Sequence, residues 1–369
     1  MVESHKVAVI GAGVAGLMVS RELRNEVHRV VIFEKSDKLG GLWVYDLRVE
    51  SDELGRDPTR ENIHSSVYRS LRTNVPRVLM SFSGFPFADR EYGDPRRFPG
   101  HEEVLGYLND FAARYGIAEV TRFNSEMFLM LWSFVTVHCT VPRIADIPGI
   151  EKWPGKQTHS HNYRVPEQFT NQVVVVIGNG ASAYYISRDI SKAAKAVHVS
   201  SRSPEAKFSK LDHYHNLWQH SSIRDAKEDG TVEFEDGTSV QASIIMHCSG
   251  YKHGFPFLNT NGIVNIDDNR VGLLYKHVFP PDLAPWLSFV GLPQKTLIFD
   301  MMELQSKWIA RVLSGKRPKH LTHHLENSEE YLDYLAAEAG VSALEDWRKE
   351  IFREILKRIV NHIDGLRDE

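Results

Sequence analysis

Cysteine is almost missing: the 369 residues include two, Cys139 and Cys248, far apart and in no C-x-x-C pair. That excludes a disulfide framework and a dithiol redox centre. Long apolar runs are missing too. The most apolar stretch, MFLMLWSFVTV at 127–137, is about half the ~20 residues that span a bilayer. Charge of one sign is also lacking, with 44 Lys and Arg against 48 Asp and Glu and a formal net charge of −4. Such a balance gives nucleic acid or an anionic membrane no electrostatic reason to bind. Val7–Ile10 is too short for a secretory apolar segment and reads as a strand. The expectation is a soluble cytoplasmic protein with no membrane anchor and no nucleic-acid partner. With 42% apolar residues, the chain can build one large core or two ordinary ones.

What the sequence does contain is one pattern twice. HKVAVIGAGVAGLMVSREL at 5–23 and VVVVIGNGASAYYISRDI at 173–190 each run from an apolar strand through a turn of small residues into a helix. This is the build of a dinucleotide-binding crossover, and two of them define an α/β fold with two Rossmann-like domains. In the first turn, Gly11 permits the tight bend, Gly13 lets backbone approach a pyrophosphate and Gly16 lets helix pack on strand. The free N–H groups of the helix start favour phosphate. Glu34 ends the next strand, RVVIFEK, 23 residues after Gly11, where a carboxylate accepts hydrogen bonds from ribose hydroxyls. The second turn is Gly178, Asn179, Gly180, Ala181, Ser182 and Ala183, with a small residue at the third fingerprint position. Its next strand ends in Ser200-Ser201-Arg202, without an acid. A guanidinium grips a 2′-phosphate that an acid would repel. The expected cofactors are therefore FAD at the first turn and NADPH at the second.

Between the crossovers, 101–116 has the spacing of an amphipathic helix, whereas Pro86, Pro95 and Pro99 argue against regular structure before it. Residues 144–169 read as a linker, with prolines at 148, 154 and 166. A hairpin is expected around Asp236-Gly237, and two or three helices close the chain. In the last of these, Leu344, Trp347, Ile351, Ile355, Ile359 and Ile363 recur at helical spacing. His159 with His161, and His320 with His323 and His324, are read as loop or surface residues and not as metal ligands.

The stretch WPGKQTHSHNY, with Trp153, Gly155, His159 and Tyr163, resembles the F-x-G-x-x-x-H-x-x-x-[YF] fingerprint of flavin-containing monooxygenases. GGLW at 40–43, SSVYRSLRTNVPRVLMSFSGFPF at 65–87, HCSGY at 247–251 and LYKHVFPPDLAPWLSFVGLP at 274–293 extend the resemblance over most of the chain. It is most similar to the plant glucosinolate S-oxygenase type; the related Baeyer–Villiger enzymes typically carry tryptophan where Tyr163 stands. The resemblance implies an FAD domain from 1–155 and 253–369, with an NADPH domain, 156–252, inserted in it. It implies hydride transfer from NADPH to FAD, then a C4a-hydroperoxyflavin formed with molecular oxygen. That adduct oxygenates a small molecule through a nucleophilic sulfur or nitrogen. It further implies cofactor contacts at Gly40, Leu42 and Trp43, and a catalytic Asn74 that holds NADP⁺ and the oxygenated flavin in place.

Two departures from the family pattern stand out. The second turn has Ala183 and Tyr185 where the family carries glycine and aspartate. After TRFNSEM, several family strands are missing, and FLMLWSFVTVHC leads directly into TVPRIADIPG, with Val137 in place of a glycine. Residues 127–137 can be back-translated with codons that, read two bases later, give V-S-D-A-V-V-V-C-N-G, close to the expected family strand. This points to a junction joined out of frame, with the frame regained near His138. WSFVTVHC keeps the β-branched and aromatic residues that suit a strand. The alternative outcomes are an impaired or inactive variant, or an uncoupled NADPH oxidase releasing hydrogen peroxide.

Overall fold

The computed structural model describes residues 4–90, 92–125, 133–136, 141–255, 257–316 and 328–360. Val137, His138, Cys139, the histidines at 320, 323 and 324, and Ile363 lie outside the described residues. The chain forms two compact units: Met1–Val44 with Arg72–His138 and His253–Glu369, and Tyr45–Leu71 with Cys139–Lys252. The described helices are α1 (Val14–Asn25), α2 (His101–Arg114), α3 (Ala181–Ile190), α4 (Ile298–Leu313), α5 (Ser328–Ala339) and α6 (Asp346–Val360).

The first unit is built on a five-stranded parallel sheet in the order Leu287–Val290, Ser133–Thr136, Lys6–Ile10, Arg29–Phe33, Thr121–Arg122. Period-two alternation sends Val7, Val9, Val30 and Ile32 into a core shared with Leu17, Met18 and Leu23 of α1 and with Leu304 and Ile309 of α4. On the opposite face Ala8, Val31 and Phe33 stay partly exposed, although a parallel sheet ordinarily has cover on both faces. The strand Ser133–Thr136, from the altered segment, pairs in parallel with Lys6–Ile10 on one side and Leu287–Val290 on the other. The strand slot that WSFVTVHC was expected to fill is thus filled.

The second unit carries a six-stranded sheet in the order Lys156–His159, Ile244–His247, Val173–Ile177, Ala196–Ser200, Leu217–His220, Ser209–Lys210, antiparallel only at its last pair. The Val173–Ile177 run is apolar throughout because both faces are covered. Val174 and Val176 pack with Ile186 and Ile190 of α3, while Val175 packs with Trp153, Val232 and Phe234. The hairpin expected at Asp236-Gly237 joins Thr231–Phe234 to Ser239–Gln241.

One expectation needs correction. Residues 144–169 are no linker: Lys156–His159 is a strand of the main sheet, and Trp153, His159, His161 and Tyr163 are all buried. The proline content misled because Pro148 and Pro154 fall between short ordered pieces and Pro166 opens one, the 3-10 turn Pro166–Phe169. The compact units take in other stretches than the expected cofactor domains, since Tyr45–Leu71 and residues 139–155 group with the second unit. Buried polar residues hold them there. The Glu50 carboxylate accepts from Arg60 at 2.6 Å and meets His161 Nε2 at 3.2 Å. Arg164 donates to the carbonyls of Asp46, Arg48 and Ser65.

Candidate functional site

The first turn is closed by backbone. Gly11, at φ +90°, donates its N–H to the Phe33 carbonyl at 2.8 Å, which ties the turn to the end of the neighbouring strand. A Cβ on Gly16 would lie 1.9 Å from the Gly11 carbonyl oxygen, so only glycine lets α1 pack this close. Gly13 is the extended N-cap of α1 and offers no side chain to its first amides. Those amides lack intrahelical acceptors and face whatever approaches the helix start. Gly40 and Gly41 pack against this bend. The Gly40 N–H donates to the Ala12 carbonyl at 2.9 Å, and a Cβ on Gly41 would stand 2.9 Å from the Gly13 Cα. Leu42 is exposed and Trp43 partly buried beside them.

Glu34 makes contacts within the chain that sequence reasoning did not assign to it. One carboxylate oxygen accepts the Ala12 N–H at 2.7 Å, and the other accepts both the N–H and the hydroxyl of Ser36 at 2.8 Å. The side chain braces the turn from below. A carboxylate offers about four lone-pair sites, which leaves capacity for a ribose hydroxyl.

The second turn follows the same plan with different braces. Gly178, at φ +144°, donates to the Ser200 carbonyl at 3.0 Å, and a Cβ on it would sit 2.5 Å from the Cys248 carbonyl oxygen. Gly180 caps α3, and a Cβ there would meet nothing within 4 Å. Asn179 and Ser182 are exposed, Ala181 is partly buried and Ala183 is buried in the core. The matching hydrogen bonds, Gly11 to Phe33 and Gly178 to Ser200, set Ser201 as the counterpart of Glu34 and Arg202 as the counterpart of Lys35. Ser201, which sequence reasoning did not pick as a site residue, is legible by counting one residue past that anchor. Arg202 is exposed. Tyr184 is held along the flank of α3, with the Arg188 guanidinium 3.5 Å above its ring. Tyr185 packs edge-on against Tyr184.

The fingerprint residues are structural ties of the second unit. The Trp153 indole donates to the Gly230 carbonyl at 3.1 Å, and a Cβ on Gly155 would come within 2.1 Å of that ring. His159 Nδ1 accepts the His161 N–H, so Nε2 carries the proton and donates to the Gly250 carbonyl at 3.0 Å. Burial, with neighbouring His161 and His247, pushes the His159 pKa down to about 3. The Tyr163 hydroxyl donates to Asp189, whose carboxylate also receives Ser70 and Lys192. His159 and His161 are therefore buried members of ordered elements, which corrects the loop reading. Among the described residues no group of three or more His, Cys, Asp or Glu is placed to hold a metal. The buried Cys248 thiol is pushed up to about 12 by desolvation, which keeps it unreactive. Among the described residues no helix is long and apolar enough to cross a membrane.

Asn74 is exposed, in the loop between Thr73 and Arg77 of the first unit. The hydroxyls of Thr73 and Thr296, both in that unit, are buried without a hydrogen-bond partner. Buried hydroxyls of this kind are ordinarily completed by water or by a bound group.

A fold with two strand–glycine turn–helix units, one braced by an acid and one not, is that of a two-dinucleotide oxidoreductase. The family model "Flavin-binding monooxygenase-like" matches residues 4–130, 126–216 and 213–333, and the chain belongs to this flavin-binding monooxygenase family. Flavin-containing monooxygenase FMO GS-OX-like 3 of Arabidopsis thaliana is 48% identical, over 99% of this chain and 94% of its own length. Flavin-containing monooxygenase FMO GS-OX5 of the same plant is also 48% identical, over 100% of this chain and 92% of its own. Among solved structures, the S-allyl-L-cysteine S-oxygenase of Allium sativum superposes with a TM-score of 0.95 at 45% identity, over 100% of this chain and 96% of the other. The alignment with the first relative runs to 423 positions, 54 more than this chain has residues. The family match comes in three segments that meet at 126–130 and at 213–216, and the first of these joins falls where strands were expected to be missing.

Proposed function

We propose that this chain is an NADPH- and oxygen-dependent monooxygenase that binds FAD at the first glycine turn and NADPH at the second, and that it oxygenates a small molecule at a thioether sulfur or amine nitrogen. The observation that carries the cofactor assignment is the exchange of Glu34 for Ser201 at equivalent positions, with Arg202 next to the serine. An acid at a strand end prefers free ribose hydroxyls; a serine and an arginine there accept a 2′-phosphate.

The residues fit such groups. Gly11, Gly13, Gly16, Gly40, Leu42 and Trp43 with Glu34 would hold FAD. A Cβ would fill the close approach of Gly41 to Gly13, and the first amides of α1 remain for a pyrophosphate. Gly178, Asn179, Gly180, Ala181, Ser182, Ala183 and Arg202 would hold NADPH, with open space in front of Gly180. Bound flavin, once reduced, supplies the activation of oxygen. The chain's own part is to bind, orient and exclude water. Asn74, as a donor and acceptor at an exposed turn, would hold the nicotinamide cofactor against the flavin. The S-oxygenase relatives favour a thioether substrate.

A second reading is an impaired variant of the same family. It is favoured by an alignment with the first relative that is 54 positions longer than this chain and by the partial exposure of Ala8, Val31 and Phe33 on one face of the first sheet. The visible absorption spectrum of the purified protein, with flavin quantified against protein, separates the two. Near-stoichiometric FAD, with NADPH oxidised faster than NADH and thioether converted to sulfoxide, supports the first reading. Protein that stays colourless after FAD is added supports the second. Flavin reduction accompanied by peroxide alone identifies an uncoupled oxidase.

A further inference from the structure

The proline-rich stretch before α2 forms no regular element, yet its carbonyls are gathered by one buried side chain. Arg77 is 7% exposed. Its Nε and one terminal nitrogen donate to the Arg96 carbonyl at 3.2 and 3.1 Å, and its other terminal nitrogen donates to the Arg90 carbonyl at 2.7 Å. It also donates to the Asp94 carbonyl. Prolines supply no N–H, so the stretch has fewer backbone donors than acceptors, and a planar five-donor fork makes up the difference. Glu103, in the first turn of α2 and 1% exposed, faces Arg77 at 3.5 Å. Its carboxylate accepts the N–H groups of Tyr92 and Asp94 at 2.8 Å. Asp94 in turn accepts the Gly100 N–H at 2.7 Å. Hydrogen bonds from Arg96 hold its carboxyl well below the usual carboxylate range.

This clamped stretch is the partner of the segment that bears Asn74. Arg72 bridges antiparallel to Gly100 and donates from Nε to the Phe98 carbonyl at 2.8 Å. The Thr73 N–H donates to Pro99 and the Arg77 N–H to Arg97, both at 3.0 Å. Asn74, exposed and followed by the partly buried Val75 and the buried Pro76, therefore lies between two backbone ties to this stretch. The stretch so tied is the one that the Arg77 and Glu103 side chains fix.

We infer that Arg77 and Glu103 are positioning residues: their buried pair sets the backbone from which Asn74 is presented. The inference rests on the proposed role of Asn74, but its first test does not. Arg77→Lys removes the planar fork and keeps the charge, Arg77→Met keeps the stem alone, and Glu103→Gln keeps the shape. Amide hydrogen exchange, read by mass spectrometry on the protein as purified, should accelerate at least tenfold at Thr73 and Arg77 in each variant. Amides of α2 from Tyr107 to Phe111 should not change. Unchanged exchange at Thr73 and Arg77 overturns the positioning role whether or not flavin is bound, and so does faster exchange throughout the unit, which reports general loosening. In flavin-loaded protein, the fraction of NADPH oxidation lost as hydrogen peroxide should rise in Arg77→Met as it does in Asn74→Ala, with partial recovery in Arg77→Lys. If Asn74→Ala alone leaves that fraction unchanged, the reading of Asn74 fails while the exchange result stands. If Asn74→Ala uncouples and Arg77→Met does not, the positioning role fails.

Discussion

Gly11 and Gly178 hold the same place after their strands, and each donates its N–H to the last residue of the next strand, Phe33 or Ser200. Beyond that anchor the two turns part. The first is braced from within, by the Glu34 carboxylate on the Ala12 N–H and by a helix packed so closely that Gly16 touches the Gly11 carbonyl. The second leans on a neighbouring strand end, the backbone of Cys248, which leaves Gly178 no room for a Cβ. Its helix stands far enough off that Ala183 is accepted in the core. The difference explains why a fingerprint with three glycines tolerates a small residue at the third. That glycine is needed only where helix and turn meet backbone to backbone.

Exchanging glycines between the two turns is the hardest test of that contrast. Gly16→Ala places a Cβ 1.9 Å from a backbone oxygen that has nowhere to go, so the expected cost is above about 4 kcal/mol, with loss of flavin. Ala183→Gly, at the equivalent third position, removes one buried methyl from α3 and should cost no more than about 1 kcal/mol. Denaturant unfolding of both variants checks this; equal costs would dissolve the distinction.

Buried groups set the response to acid in both units, and burial lowers His28 and His253 of the first as well. In the second, burial pushes His159 down to about 3 and His198 and His247 to about 4. A histidine with a lowered folded pKa contributes stability that is complete above about 6.5 and is lost as pH falls toward the folded value. Each such group then costs about 1.4 kcal/mol per pH unit within its window. In the first unit the sign is opposite for Asp300, which burial raises to about 6 against the pull of Arg348. Its contribution is complete below about 4 and fades as pH rises through 6. Unfolding midpoints from pH 4 to 8 should fall steeply on the acid side. His198→Gln should flatten that limb, whereas Asp300→Asn should steepen it slightly. An acid limb unmoved by His198→Gln would remove histidine burial as its cause.

Much of this was legible beforehand, and for stated reasons. Val173–Ile177 and Lys6–Ile10 announce themselves because buried parallel strands are apolar runs, and the glycines mark the turns that follow. The fingerprint stretch was misjudged because prolines at 148, 154 and 166 break it into pieces too short to show a period. What holds those pieces, such as His159 on the Gly250 carbonyl, is long-range. The grouping of Tyr45–Leu71 with the second unit was hidden for the same reason: the contacts of Glu50 and Arg164 that decide it span about a hundred positions. In the site, Glu34 was legible as an acid at a strand end, but its brace to Ala12 was not, because one side chain can serve turn and ligand together.

Ligand preference sharpens the comparison next. Arg202→Ala should raise the Kd for NADPH roughly 30-fold, about 2 kcal/mol, by removing charge-assisted hydrogen bonds, and should leave NADH unchanged. Glu34→Gln removes a charge-assisted bond at Ala12, so it should weaken FAD retention and lower stability by about 2 kcal/mol together. Ser201→Asp, which restores the acid at the second turn, should shift preference from NADPH toward NADH. A change at Arg202 that weakens both nicotinamide cofactors equally would argue against a 2′-phosphate contact.

The smallest effect lies in the turns that leave the two helices. After α1 the chain reverses through Val27, at φ +61° and 63% exposed, a left-handed position that crowds a β-branched side chain. After α3 no residue from Ser191 to Lys195 takes a positive φ. At that exposure Val27 buries little that would repay the strain. Val27→Gly should therefore stabilise the protein by about 1 kcal/mol, while Lys195→Gly, which relieves nothing and adds chain entropy to the unfolded state, should cost about 0.5 to 1 kcal/mol. Thermal unfolding of the two variants reads the difference directly, and a destabilised Val27→Gly would mean that the valine side chain makes a contact worth more than the strain it imposes.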